Sequence, residues 1–395
     1  MKDKKNQYPV FALSITNMIL RAFLQGLIPL YPFLMMKLTN KSSDVGIFLS
    51  LSYVMLFLGT YMAGVIVPKY IQPKTMLVIT LVPVAFAISG YGLSNSLFQF
   101  DFCGCFMSFF LGLHVCSNGI MMGYYSTVES VNKNFSSLAV SSLLATVLGG
   151  FIVGPLLTWL GYLHAFYLFS TVLILCTLFI FPLRQPEYPH PLKGSKETAA
   201  VSPVRDTEKK AFKIDQNLWL LLIATLLISL LLYGFKMSIS IMLKKRGWDI
   251  KNISILMAVG TAMALPITIW WGKISNYYNA KKLLFITFCC GLIAYSSLFF
   301  AGNYVAGIIG FGCISVVAYT ITIPLMSLMF VWYDKKTLPR AQALSSSSVW
   351  IAAIIGFGVN GFAMEHLSEY SFITVGIAIA LVAMWVLGRI KVQKV

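Results

Sequence analysis

The sequence predicts an all-α membrane protein of about twelve transmembrane helices, divided into two six-helix halves. Three observations carry that expectation. Of 395 residues, 58% are hydrophobic and 11% are charged, whereas an ordinary soluble domain is about 25% charged. A soluble chain this apolar would expose large sticky patches. The apolar residues also fall into runs of the ~20 residues that a helix needs to cross a bilayer. Finally, one long polar break, Arg184 to Lys213, falls near the middle of the chain. Its prolines, serines, glycine and mixed charges read as a solvated linker. The expected organisation is 1–183 for the first half, 184–213 for a cytoplasmic linker and 214–395 for the second half.

Taken in order, the first half holds runs at Pro9–Met36, Val45–Val67, Lys74–Ser94, Leu97–Ser126, Ser136–Leu160 and Leu163–Leu183. The second holds Leu218–Leu243, Asn252–Gly272, Lys281–Ala301, Tyr304–Trp332, Ala341–Met364 and Tyr370–Leu387. Charged residues punctuate the connections. Lys2, Lys4, Lys5, Lys69, Lys74, Lys133, Lys273, Lys281, Lys282, Lys335, Lys336, Arg340 and Arg389 share one side with the linker. Lys37, Lys41, Lys244, Lys245, Arg246 and Lys251 fall on the other. The larger set marks the cytoplasmic face, so both termini and the linker are expected there, in a multi-pass protein of the plasma (inner) membrane. The same rule accounts for the net charge of +17 without nucleic acid as a partner. The first apolar run is too long for the core of a cleaved signal and lacks a small-residue cleavage site. The seven cysteines lie in or beside apolar runs with no Cys/His metal spacing. No nucleophile triad or paired intramembrane carboxylate stands out. No cofactor, metal site or enzymatic activity is expected, and the chain is expected to be a monomer.

The halves repeat. A shift of 208 positions carries Gly64 onto Gly272 and Lys37 onto Lys245. Repeats of this kind place a binding site at the midplane between them. After the second span the chain reads Gly64-Val-Ile-Val-Pro68-Lys69 and continues to Lys74; after the eighth it reads Gly272-Lys-Ile-Ser-Asn276 and continues to Lys281-Lys282. This layout resembles the major facilitator superfamily, whose corresponding loops have the form Gly-x-x-x-Asp-Arg-x-Gly-Arg-Lys. Pro68 and Asn276 stand at the acidic positions. Gly149-Gly150-Phe-Ile-Val-Gly154-Pro155 in the fifth span resembles the glycine-proline motif of that family's antiporters. The resemblance implies a secondary transporter that works by alternating access on a small-molecule substrate. It implies gating roles for Gly64, Lys69, Gly150, Gly154, Pro155, Gly272, Asn276 and Lys281. It also implies that spans one, four, seven and ten line a central cavity.

Those spans carry polar stripes at helical spacing. The first has Asn17, Arg21 and Gln25; the fourth has His114, Asn118 and Tyr125; the seventh has Ser229, Tyr233 and Lys236; the tenth has Tyr319 and Thr322. A polar stripe facing lipid is costly, so each should face other helices or water. Interhelical hydrogen bonding would satisfy some of them equally well. Arg21 sits near mid-depth, whereas Asp44, Asp101 and Glu129 lie at span edges. A cavity of positive potential would favour a small organic anion or an amphipathic metabolite. Efflux of drug-like compounds is the alternative within transport, and a non-transporting membrane sensor or scaffold is the alternative outside it. His114 is the expected source of any pH dependence, since its ordinary pKa lies near neutrality.

Overall fold

In the computed structural model the described residues are 7–27, 30–35, 38, 39, 41–66, 71–125, 131–184, 215–274, 280–321, 324, 325, 328, 332 and 338–390. They form α1 (Gln7–Leu27), a short α2 (Tyr31–Met35), α3 (Ser42–Ile66), α4 (Pro73–Leu93), α5 (Leu97–Tyr124), α6 (Val131–Trp159) and α7 (Gly161–Ile180). The second half supplies α8 (Gln216–Lys245), α9 (Ile250–Ile274), α10 (Ala280–Ser297), α11 (Tyr304–Thr320), α12 (Leu338–His366) and α13 (Glu369–Arg389). Eleven helices among the described residues are long and apolar enough to cross a membrane, and α11 is a shorter apolar helix. Of the expected linker only Arg184 is described; 185–213 lie outside the described residues.

Two spans differ from the sequence expectation. The run Pro9–Met36 is not one helix: α1 ends at Leu27 and α2 covers Tyr31–Met35. Pro32 falls in the first turn of α2, where a proline is tolerated because first-turn N–H groups have no partner within their own helix. The run Tyr304–Trp332 is helical to Thr320, and part of its remainder lies outside the described residues. Pro83, Pro155 and Pro266, by contrast, sit inside helices, as neighbouring helices in a membrane bundle permit.

Each half packs in the same way. In the first half α1 lies on α6, α3 on α5 and α4 on α7; in the second α8 lies on α12, α9 on α11 and α10 on α13. Local chemistry repeats with the packing. Lys74 Nζ, at the start of α4, donates to the Phe181 carbonyl just past α7 at 2.7 Å. Lys281 Nζ, at the start of α10, donates to the Gly388 carbonyl in α13 at 2.8 Å. Both donors and both acceptors are 207 positions apart (281 − 74 and 388 − 181). A lysine there satisfies carbonyls left open at a helix C-terminus and complements the helix dipole. Deeper in, Thr80 of α4 bonds His114 of α5 at 3.1 Å, and Thr287 of α10 bonds Thr320 of α11 at 3.4 Å.

Large apolar side chains such as Phe86, Leu178 and Val305 point outward, as they do where lipid is the solvent. The halves meet along two seams, α3 against α12 and α6 against α9, with α2 resting on α8.

Candidate functional site

A cavity of about 270 Å³ lies between the halves. From the first half Arg21 and Gln25 of α1 reach it, with Tyr53 of α3 and Ser108 of α5. From the second come Ser229, Tyr233 and Lys236 of α8, Tyr319 of α11 and Trp350 of α12. Leu24, Leu49, Leu56, Met107, Leu111, Leu232 and Val349 fill in the apolar part of the wall. Tyr31 and Tyr91 close the end away from the chain termini, backed by Phe48 and Phe100 at ring separations of 4.5–6.1 Å. A side lobe of about 10 Å³, room for about one water, continues between polar Gln25, Thr146, Lys236, Thr261, Ser315 and Tyr319 and apolar Met257 and Phe311. Tyr319 and Thr146 share a hydrogen bond across the two halves.

Arg21 is held from behind. Its Nε donates to Asn17 Oδ1 at 2.9 Å. Asn17 Nδ2 in turn donates to the hydroxyls of Ser141 and Ser142 on α6, each at 3.1 Å. Asn17, almost wholly buried, is thus a support that fixes the guanidinium rather than part of the wall. Arg21 lies within electrostatic reach of the phenols of Tyr53, Tyr233 and Tyr319. Among the described residues no aspartate or glutamate lines either space, and no group of His, Cys, Asp and Glu could hold a metal ion.

The polar stripe of α5 goes elsewhere. His114 is buried at the α4–α5 contact, where its Nδ1 meets Thr80, and it does not line the cavity. In the second half Thr320, at 206 rather than 207 positions from His114, bonds Thr287 across the α10–α11 contact. His114 therefore sits in an interhelical contact and not on the cavity wall where the sequence reading expected it. Asn118 is buried away from the cavity, its Oδ1 without a partner among the described residues. Tyr125, just past the end of α5, donates to the Arg184 carbonyl and is likewise off the wall.

Of the gating candidates, Gly150 and Gly154 lie on the α6–α9 seam. A Cβ on Gly154 would come within 2.3 Å of Ser254 Cβ, and one on Gly150 within 2.7 Å of Ala258 Cβ. Pro155 follows them within α6. Gly64 and Gly272 lie in the last turns of α3 and α9. Lys281 ties α10 to the end of α13, bonding the Ile390 carbonyl at 2.6 Å as well as Gly388, which is a helix cap rather than a contact between halves. Lys69, Asn276 and Thr322 lie outside the described residues.

The sequence reading missed Tyr53 and Trp350 because α3 and α12 were not expected to line the cavity. A signal was present: membrane tyrosine and tryptophan concentrate at the bilayer interfaces, yet these two lie midway along their helices.

No curated protein matches the sequence. Among solved structures, a mutant of the nucleoside transporter NupG matches with a TM-score of 0.76 at 11% identity, covering 97% of this chain and 99% of that one. A bacterial homologue of the human lysosomal transporter Spinster, inward-facing and occupied, gives 0.70 at 11% identity over 99% and 97% of the two chains. The same homologue, inward-facing and unoccupied, gives 0.62 at 12% identity over 99% of each. These likenesses concern the fold. The profile of the Major Facilitator Superfamily matches residues 13–331, more than half of the chain, and the architecture of eleven spanning helices and one shorter apolar helix in two halves agrees with it: the protein is a member of the Major Facilitator Superfamily.

Proposed function

We propose that this membrane transporter carries a small organic anion, or an amphipathic metabolite with an acidic group, by rocking of its two halves about the central cavity. One observation carries the reading. Arg21 and Lys236 stand on the cavity wall, and among the described residues no carboxylate stands there with them. A charge at the bilayer centre costs at least about 2.5–3.5 kcal/mol on insertion scales, and the bond recorded for Arg21 goes to a neutral amide. An acidic group on the substrate would supply the counter-charge. The planar guanidinium suits a carboxylate or phosphate in two-point contact, which lysine does not reproduce.

Arg21→Lys should weaken binding of an anionic substrate about tenfold while leaving the melting temperature nearly unchanged, and Arg21→Gln should weaken it further. Titration of purified protein in lipid nanodiscs with a panel of organic anions, beside thermal melts, checks this. Unchanged affinity in Arg21→Lys, or unfolding of both variants, sinks the reading. Drug-like efflux is the second reading, favoured by the apolar and aromatic lining and by Gly150 and Gly154 on the α6–α9 seam. It expects neutral lipophiles to bind and the Arg21 variants to be silent. A sensor or scaffold would bind a ligand without moving it, so substrate-dependent uptake into proteoliposomes separates that class. In the membrane we place both termini and the linker on the cytoplasmic side, where the lysine-rich loops lie. Labelling of a cysteine at Ser195 from outside intact cells would reverse that placement.

A further inference from the structure

We infer that the substrate's body is a planar aromatic ring, seated on a wall that both halves build from Tyr53, Tyr233 and Trp350, with its acidic group turned to Arg21. This rests on the anion reading above and names the substrate class more closely.

The wall is a continuous aromatic surface. The Tyr53 ring lies 5.3 Å from that of Tyr233 and 5.9 Å from that of Trp350. Phe357, wholly buried, backs it at 5.2 Å from Tyr53 and 5.4 Å from Tyr233. Such separations, with tilted and edge-on planes, are those aromatic pairs prefer. A further ring entering the cavity extends the same packing. The rings are held by their neighbours, so little side-chain freedom remains to be lost on binding. Tyr53 comes from the first half, and Tyr233 and Trp350 from the second. A ring in contact with all three therefore bridges the two rocking bodies. The polar groups line the same cavity: Arg21 with Tyr53, Tyr233 and Trp350, and Lys236 one helical turn from Tyr233 on α8. An aliphatic anion could meet the charges, but it would leave the aromatic faces with poorer partners.

Three probes of nearly one size separate the ideas: benzoate, cyclohexanecarboxylate and benzamide, each titrated against the full-length protein in nanodiscs with empty nanodiscs as control. Benzoate is expected to bind about two- to tenfold more tightly than cyclohexanecarboxylate, although the latter is the more lipophilic. Trp350→Leu should abolish that preference by weakening benzoate alone, and Trp350→Phe should retain most of it. Arg21→Gln should weaken both carboxylates and leave benzamide unaffected. If the two carboxylates bind equally in the wild type, or if Trp350→Leu weakens them alike, the aromatic inference is overturned while the anion reading stands. If benzamide matches benzoate and Arg21→Gln is silent, the anion reading itself fails. No binding of benzoate at millimolar concentration also overturns the inference. Should Trp350→Leu not fold, Tyr233→Leu makes the same comparison.

Discussion

The two seams between the halves are built on different chemistry. Along α6–α9 the contact is made by a hydroxyl. Ser254 Oγ accepts from the Gly154 N–H at 3.2 Å and donates to the Gly150 carbonyl. Those two backbone groups lie one helical turn apart and are the pair that the α6 ladder would itself join. When this seam parts, they can satisfy each other. Along α3–α12 the contact is backbone on backbone. Gly46 and Gly361 meet so closely that a Cβ on either would lie 2.9 Å from the other's Cα. Ser50 Oγ donates to the Ile354 carbonyl at 2.6 Å, and Glu365 Oε2 accepts from the Ser43 N–H in the first turn of α3 at 3.1 Å. First-turn N–H groups have no partner within their own helix, so this one needs the carboxylate or water. Both seams use glycine for close approach. The α6–α9 bonds can be exchanged inside one helix. The α3–α12 bonds at Ser43 and Ser50 have to be given up, at the end of the bundle away from the termini. In the proposed rocking motion both seams open in turn, and this difference would put the greater resistance at α3–α12.

Bulk tests the comparison most severely. Gly46→Leu should part α3 from α12, because the nearest atoms to the new Cβ are backbone, with the Phe357 carbonyl at 2.5 Å, and backbone cannot rotate aside. An effect at or above ~3 kcal/mol on this seam is expected, at the upper end of overpacking costs. It should be read as faster labelling of a cysteine at Ser52, in a cysteine-free background, from the side away from the termini. Gly154→Leu meets a side chain, Ser254, and should cost less, about 1–3 kcal/mol. Equal labelling in the two variants would erase the distinction. Ser254→Ala removes both bonds that bridge the halves at Gly150 and Gly154. It should lower the melting temperature only slightly, since a hydrogen bond between membrane helices averages about 0.6 kcal/mol and α6 can close its own ladder. A loss as large as that of Gly154→Leu would show that the ladder does not take over. The mildest change is Glu365→Gln, which keeps the acceptor oxygen but removes the charge from the α3 N-terminus. The dipole favours a carboxylate there, so labelling at Ser52 should rise modestly above wild type, and no rise would remove Glu365 from the seam's chemistry.

Much of the site was legible because lipid leaves few options. Arg21 and Lys236 lie deep in apolar runs, and their charge excludes the lipid face; with Gln25, Ser229, Tyr233 and Tyr319 they fall on one cavity. His114 was misread for a definite reason. Periodicity identifies a polar face, but a hydroxyl on the next helix can meet such a face as a cavity does: Thr80 meets His114 Nδ1, while Nε2 has no partner among the described residues. Asn17 shows the intermediate case, a residue of the same stripe as Arg21 that faces α6 and steadies the guanidinium.

The sequence by itself determined the membrane class and the repeat of the halves, because span length and the spacing of glycine and lysine are written along the chain. Tertiary structure alone decided which polar residues meet each other and which meet the cavity. It brought Tyr53 and Trp350, almost 300 positions apart, to a ring separation of 5.9 Å. It also set Ser254 between Gly150 and Gly154. The physical reason is that apolar burial in lipid fixes each helix independently. The pairing of helices depends on close approach and on hydrogen-bond partners contributed by distant parts of the chain, and no local pattern records those.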